Sequence, residues 1–451
     1  MKKFTLILLA AILIQNSAIA THSIGGDITV KHLNGLSYKI TFTYYQRIGP
    51  ADRDTIGFNI SDSLSGFSQS LTVPFSSDIY VSADIEKRIY DTIFTFPIVG
   101  DYVISVEDPN RTDGISNIPN SVNVPFFDKC LFHVDSSNSS PVFLNDPIIY
   151  AQQGIPFTYN ALPYDENDDS LTWSIDVPLS SGGAPILGYT LPSSDFVIDS
   201  VTGQVSFLPL DTGKFCFVVK VNEFRNNIFI GCIRRDMLVY VIASSNNTFT
   251  SAHNSNFAQS QDEYYRIPFN HTFNFNFSIS DPDPVLISNG GNGEPLITNN
   301  PATFTHTDGN SNAQASFNWT TTNANFRIHP YLFAFRTLDV SANDSFYLDY
   351  SLAMKVMDVT YGINELTNDN SIYTYPNPSN GNFTLTYHLN NNPKASFQIL
   401  DVTGRKVYAT NIIGTDGTQN ISISDLSIGI YYWEMISNNG IEGKGKIAVM
   451  R

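Results

Sequence analysis

Leu36-Ser37-Tyr38-Lys39-Ile40-Thr41-Phe42-Thr43-Tyr44 alternates apolar or aromatic residues with polar ones. Successive side chains of a strand point to opposite faces, so Tyr38, Ile40, Phe42 and Tyr44 share one face and describe a strand with one buried side. The same period returns at Tyr102, Ile104 and Val106, at Leu171, Trp173 and Ile175, and at Phe215, Phe217, Val219 and Val221. Further on, Phe273, Phe275 and Phe277 repeat it, as do Phe383, Leu385, Tyr387 and Leu389. Segments rich in Asn, Ser, Gly and Pro separate these runs, and aromatics make up 13% of the chain. Short β-branched and aromatic runs joined by turn formers describe an all-β protein.

A chain of 451 residues exceeds one ordinary domain and fits around three. Lys2 and Lys3, the apolar run Phe4 to Ile14 and the small residues of Ala18-Ile19-Ala20 describe a cleavable secretory signal over residues 1–20. That run is shorter than the roughly 20 residues a membrane-spanning helix needs, and no later stretch is apolar enough to span, so no transmembrane segment is expected after signal removal. Turn-rich breaks then divide the chain into an N-terminal β domain at 21–137, a β-sandwich at 138–243 and a weaker copy of it at 244–360. An acidic, Asn-rich linker at 361–371 precedes a small C-terminal β-sandwich at 372–451. The formal charge of -17 argues against a nucleic-acid partner, which wants a basic face.

The closing segment carries Tyr375-Pro376-Asn377-Pro378, Gly381, Asp401-Val402-Thr403-Gly404-Arg405, Asp425-Leu426, Gly429, Tyr431 and Gly445-Lys446. In order and spacing it resembles the type A C-terminal sorting domain of type IX secretion cargo in Bacteroidetes. The resemblance implies passage through the periplasm and the outer membrane, with the type IX machinery as partner and the secreted or outer-surface location as destination. Thr21-His22-Ser23-Ile24-Gly25-Gly26-Asp27-Ile28-Thr29 and the strand after it resemble the N-terminal module of gliding-motility-associated surface proteins of that phylum. The likeness ends at Gln46-Arg47-Ile48, where the group usually carries a cysteine. Asp165-Glu166-Asn167-Asp168-Asp169 before Leu171, the Thr202-Gly203 turn, and Asn222-Glu223-Phe224-Arg225 with Arg234-Arg235-Asp236 resemble cadherin-like and Ig-like repeats of bacterial surface proteins.

Metal binding is the candidate chemistry. Asp165, Asn167 and Asp169 place hard oxygen donors on one turn, which suits calcium, although calcium takes about six to eight oxygens and the turn offers part of a shell. The competing placement is a solvated turn whose side chains bond their own backbone. The paired Arg234 and Arg235 are expected to meet local carboxylates. Cys130, Cys216 and Cys232 are an odd set, so at least one thiol is unpaired within the chain; a Cys216–Cys232 bond would need an asymmetric hairpin register, and three buried thiols are the alternative. The chain contains neither H-E-x-x-H nor G-x-S-x-G, the spacings that would announce a zinc hydrolase or a serine hydrolase. Tyr44, Tyr45 and Trp319 are candidates for an exposed strip that binds polysaccharide, against the simpler placement of strand aromatics in a core. The reading is therefore a non-catalytic structural or adhesive surface protein that touches glycans or proteins of cells or matrix. The alternative is a secreted polysaccharide-binding or polysaccharide-degrading protein.

Overall fold

The computed structural model describes residues 23–48, 53–62, 64–81, 84–243, 252–255, 264–281, 286–340, 345–357, 371–389, 394–437 and 440–450. The expected signal at 1–20 and nearly all of the expected linker lie outside them. The chain forms two units, Met1–Asp358 and Val359–Arg451. Strands and four short 3-10 turns are the only regular elements among the described residues, so the all-β expectation holds.

Seven strands build the first part: β1 (Ser23–Asn34), β2 (Ser37–Arg47), β3 (Thr55–Asp62), β4 (Phe67–Tyr80), β5 (Ile85–Thr95), β6 (Gly100–Asp108) and β7 (Phe126–Val134). They lie in the antiparallel order β1-β2-β5-β4-β3-β6-β7. Both ends of this sheet then pair with one strand from the next segment, Ile228–Ile242. Gly25 to Asp27 of β1 face Arg235 to Met237, and Leu131 and Phe132 of β7 face Gly231 and Cys232. The sheet thus closes on itself through a strand about two hundred residues downstream. Glycine allows the close approach: a Cβ at Gly25 would lie 2.1 Å from the Asp236 carbonyl oxygen, and one at Gly231 would lie 2.6 Å from that of Leu131.

The expected boundary between residues 137 and 138 is therefore crossed by a continuous sheet. One hydrophobic core runs from Ile28 in β1 to Val241, taking in Phe42, Tyr90, Phe126, Phe157, Phe207 and Phe217. Fully burying each such ring stabilises the fold by roughly 2–3 kcal/mol. Tyr44 and Tyr45 are buried, as is Trp319, so the aromatic strip proposed for polysaccharide is core. The hairpin of Gly213–Arg225 and Ile228–Ile242 turns at Asn226 and Asn227, both left-handed, the conformation this tight turn demands. A bulge after Glu223 shifts the register by one, so Cys216 faces Leu238. Cys130, Cys216 and Cys232 are all buried free thiols.

Residues 264–357 form a separate sandwich within the first unit. One sheet contains Thr272–Ser280 and Asn312–Thr320, the other Tyr331–Val340 and Ser345–Met357. Phe275, Phe277, Phe317, Phe333 and Phe335 fill the space between. Two facing, largely antiparallel sheets are the layer arrangement of Ig and cadherin domains.

In the second unit, Ser371–Tyr375, Asn382–His388 and Asp416–Ser422 form one sheet. Lys406–Ile413, Lys394–Leu400, Gly429–Ser437 and Gly440–Val449 form the other. Phe383, Leu385, Phe397, Ile399, Trp433 and Met435 meet in its core.

Candidate functional site

The acidic turn at residues 165–169 lies where Ser170–Asp176 begins to pair with the end of Gly213–Arg225; Ser170 faces Phe224 and Leu171 faces Glu223. Glu223 and Arg225 are two residues apart on that strand and so share a face. Asp165, Asp169 and Glu223 converge there, each offering a carboxylate oxygen within 4.8 Å of the others. Asn167 turns elsewhere: its Oδ1 accepts from Ser139 N (2.7 Å) and its Nδ2 donates to Ser137 O (3.1 Å). The sequence triad is thus replaced by a trio whose third member, Glu223, comes from a distant strand. The alternation along Gly213–Arg225 placed Glu223 on the inward face with Val221 and Val219, and an acid in an apolar row was the available signal.

Each carboxylate has a different environment. Asp165 Oδ1 accepts from the backbone N–H groups of Asn167 (2.9 Å) and Asp169 (3.0 Å), the Asx arrangement expected of such a turn. Its Oδ2 is buried without a hydrogen-bond partner. Asp169 is held by Arg225, whose Nε donates to Oδ1 at 2.9 Å and whose Nη2 reaches Oδ2. The same guanidinium donates to Asp135 and Asn138. Glu223 is fully buried, and neither carboxylate oxygen makes a hydrogen bond of good geometry. The Asn138 side chain approaches it while pointing its amide at His133 O, 3.5 Å away. Burial, reinforced by the charges of Asp165 and Asp169, pushes the Glu223 carboxyl up to about 9. Burial likewise pushes Asp165 up to about 6, against the pull of the Asp169 N–H. Asp165 and Asp169 also line a cleft of about 70 Å³ shared with Trp173, Glu294 and Arg327. Arg327 ion-pairs with Glu294 and Asp168 and lies 3.5 Å above the Tyr331 ring.

The paired arginines do not meet local acids alone. Arg235 reaches Asp27 in β1 (2.8 Å) and also donates to Tyr159 and Asn145 O. Arg234 pairs with Asp128 in β7 and with Asp176, and Asp236 receives Arg111 through two hydrogen bonds. All of these except Asp176 are buried, and they line the seam that closes the first sheet. Gly25-Gly26-Asp27 and Arg234-Arg235-Asp236 are therefore two sides of one joint.

In the second unit the motif residues also have structural tasks. Asn377 Nδ2 donates to Lys446 O (2.6 Å) and its Oδ1 accepts from Ala448 N (2.9 Å), so the side chain pairs with the last strand as a backbone would. Pro376 and Pro378 flank it. Gly381 has φ 96 and packs so closely that a Cβ would lie 2.8 Å from Ser424 Cα. Asp401 accepts from Thr403 N, Thr403 Oγ1 and Arg405 N and pairs with the Arg405 guanidinium, across a turn whose Gly404 has φ 80. Leu426, after Asp425, packs on the core, and Tyr431, two residues beyond Gly429, donates to Ser427 O.

Residues 373–450 match the family of secretion system C-terminal sorting domains. No curated protein matches the chain in sequence. Among solved structures, domains A168–A170 of titin are similar at 10% identity over 69% of this chain and 99% of that one, with a TM-score of 0.17. Drosophila N-cadherin EC1-4 shares 11% identity over 89% and 93%, at 0.18. Dimeric latent PorU from Porphyromonas gingivalis shares 12% over 73% and 36%, at 0.17. Such scores fall far below those of a common domain arrangement, and the sandwich architecture rests on the sheets themselves. The class is an all-β exported protein that ends in a sorting domain. That domain is the address of the type IX secretion system, and it marks this chain as cargo carried across the outer membrane.

Proposed function

We propose that the first unit is a non-catalytic structural or adhesive module presented outside the outer membrane, with glycans or proteins of cells or matrix as its partners. The observation that carries this reading is the joint between residues 138–243 and the following sandwich. Asn160 donates through its backbone to Asp349 (2.9 Å) and through Nδ2 to Ser351 Oγ (2.8 Å). Gln204 receives Ser351 N, Asn292 reaches Leu144 O, and Arg336 reaches Asp146 O. Leu162, Leu332, Ala334 and Ala353 bury an apolar patch beneath these bonds. An apolar joint crossed by several hydrogen bonds resists hinge motion, which suits a module that holds a binding face away from its anchor. A polysaccharide-degrading role would need two carboxyls across an open cleft. The raised pair here includes Glu223, which no substrate reaches.

Deletion of residues 372–451 is expected to leave the protein in the periplasm, while the exported form binds cells or an arrayed glycan and releases no reducing sugar. Release of reducing ends from a polysaccharide panel would overturn the non-catalytic reading. Export of the truncated chain would overturn the role of the address.

A further inference from the structure

We infer that Asp165, Asp169 and Glu223 together hold one calcium ion, with Glu223 as the ligand that completes the site. This goes beyond the adhesive reading and does not depend on it. The three oxygens lie within 4.8 Å of one another, and oxygens bound to a single calcium at about 2.3–2.6 Å are separated by no more than about 5 Å. The donor set is all carboxylate, the hard chemistry calcium selects over the nitrogen and sulfur that zinc prefers.

The second and independent observation is the state of Glu223. It is 0% exposed and both its oxygens lack a well-formed hydrogen bond, as does Asp165 Oδ2. A buried carboxyl without partners is costly, and three carboxyl groups gathered around one guanidinium carry, once ionised, more negative charge than it can offset. Arg225 serves only part of that charge, because it is shared with Asp135 and holds Asp169 from one side. The adjoining cleft, lined by Asp165 and Asp169, admits the waters that fill the remaining coordination positions.

The test uses the purified full chain and terbium as a probe, since Tyr164 and Trp173 line the same cleft and can sensitise its emission. Saturable terbium luminescence, displaced by calcium, and a rise in Tm at millimolar calcium are expected. Glu223→Gln should weaken binding by about tenfold or more, because ligand charge count tunes affinity, and Asp165→Asn should do the same. Asn167→Ala should bind within about twofold of the native chain. Tm without calcium shows that each variant is folded, and Glu223→Gln is expected to melt no lower than native. Absence of saturable emission and of any calcium-dependent Tm shift in the native chain overturns the site. So does native-like binding by Glu223→Gln, and loss of binding in Asn167→Ala alone would return the ion to the turn by itself.

Discussion

The two units solve the same problem, β-sheets wrapped around aromatic cores, with opposite use of charge. The first unit buries Asp27, Arg88, Arg111, Asp128, Arg234, Arg235 and Asp236, most of them in pairs that join segments far apart in sequence. Among the described residues of the second unit, the buried polar side chain is Ser379, and in the pairs His388–Asp416 and Arg405–Asp401 the side chains of His388, Asp416 and Arg405 are exposed while Asp401 is half-buried. A buried ion pair contributes little net stability against an apolar replacement, yet losing one partner is severe. The charged seam therefore selects a pairing: β1 and β7 accept Ile228–Ile242 because only that strand brings Arg234, Arg235 and Asp236 opposite Asp128, Asp27 and Arg111. The sorting domain also pairs distant strands, Asn382–His388 with Asp416–Ser422 and Lys394–Leu400 with Gly429–Ser437, but it does so through an apolar core and locally specified turns.

The sharpest way to break this contrast is Arg235→Ala, which strands Asp27 in the seam. A loss of about 3–5 kcal/mol is expected for the first unit, read as an earlier denaturant transition, with the transition of the sorting domain unmoved. A loss below about 1 kcal/mol would mean the seam charge is well solvated.

A glycine pair extends the comparison. Gly25→Ala forces a Cβ into the Asp236 carbonyl and should cost about 3 kcal/mol, the upper range for overpacking. Gly404→Ala meets no atom within 4 Å and should cost only the left-handed backbone penalty of roughly 1–2 kcal/mol. Thermal melts of the two variants should therefore separate the units; equal losses would sink the view that the seam is the tighter joint.

Within the sorting domain, Asn377→Ala removes two hydrogen bonds to the last strand. It should cost about 1–2 kcal/mol and speed amide exchange at Ala448. Unchanged exchange there would show that the side chain does not hold the strand.

The smallest effects are those of pH. Burial raises the Tyr38 and Tyr90 hydroxyls to about 12, so their neutral form is favoured in the folded state. The stability they supply is complete below the ordinary value of 10.0 and is lost as pH climbs toward 12. Asp401 is half-buried, and Thr403, followed by Arg405, holds it down to about 2. Its contribution is complete above 3.8 and fades as pH falls through 2. The alkaline loss should appear in the first unit, while an acid limb is expected in the sorting domain from Asp401 and in the first unit from Asp135 and Asp146, which are held below the usual carboxylate range. Asp401→Asn should flatten the acid limb of the sorting domain alone, and a limb that survives this change there would assign it to other carboxyls.

Much of this was legible beforehand because strand alternation and turn chemistry are local. Phe383, Leu385, Phe397 and Trp433 line a core as their spacing implied, Gly404 takes the positive φ its turn suggested, and Tyr44 and Trp319 follow their period inward, whereas Tyr45, on the opposite face of its strand, is buried in a second cluster with Ile24, Ile85 and Leu238. Asp165 behaves as an Asx turn residue. Glu223 was hidden because its neighbours across the cluster lie more than fifty residues away. The boundary near residue 137 looked natural because a linker-like Asn138-Ser139-Ser140 stands there, whereas hydrogen bonding between β1 and a strand beyond residue 228 leaves no trace in composition.

The sequence by itself determined the strands, their buried faces, the turns and the sorting address, since each depends on residues within a few positions of one another. The tertiary structure alone decided that the first two segments share one closed sheet, that Arg235 finds Asp27, and that Glu223 joins Asp165 and Asp169. Those outcomes depend on which distant edges meet, and that choice is made by close backbone approach at Gly25 and Gly231 together with the cost of leaving a buried charge unpaired.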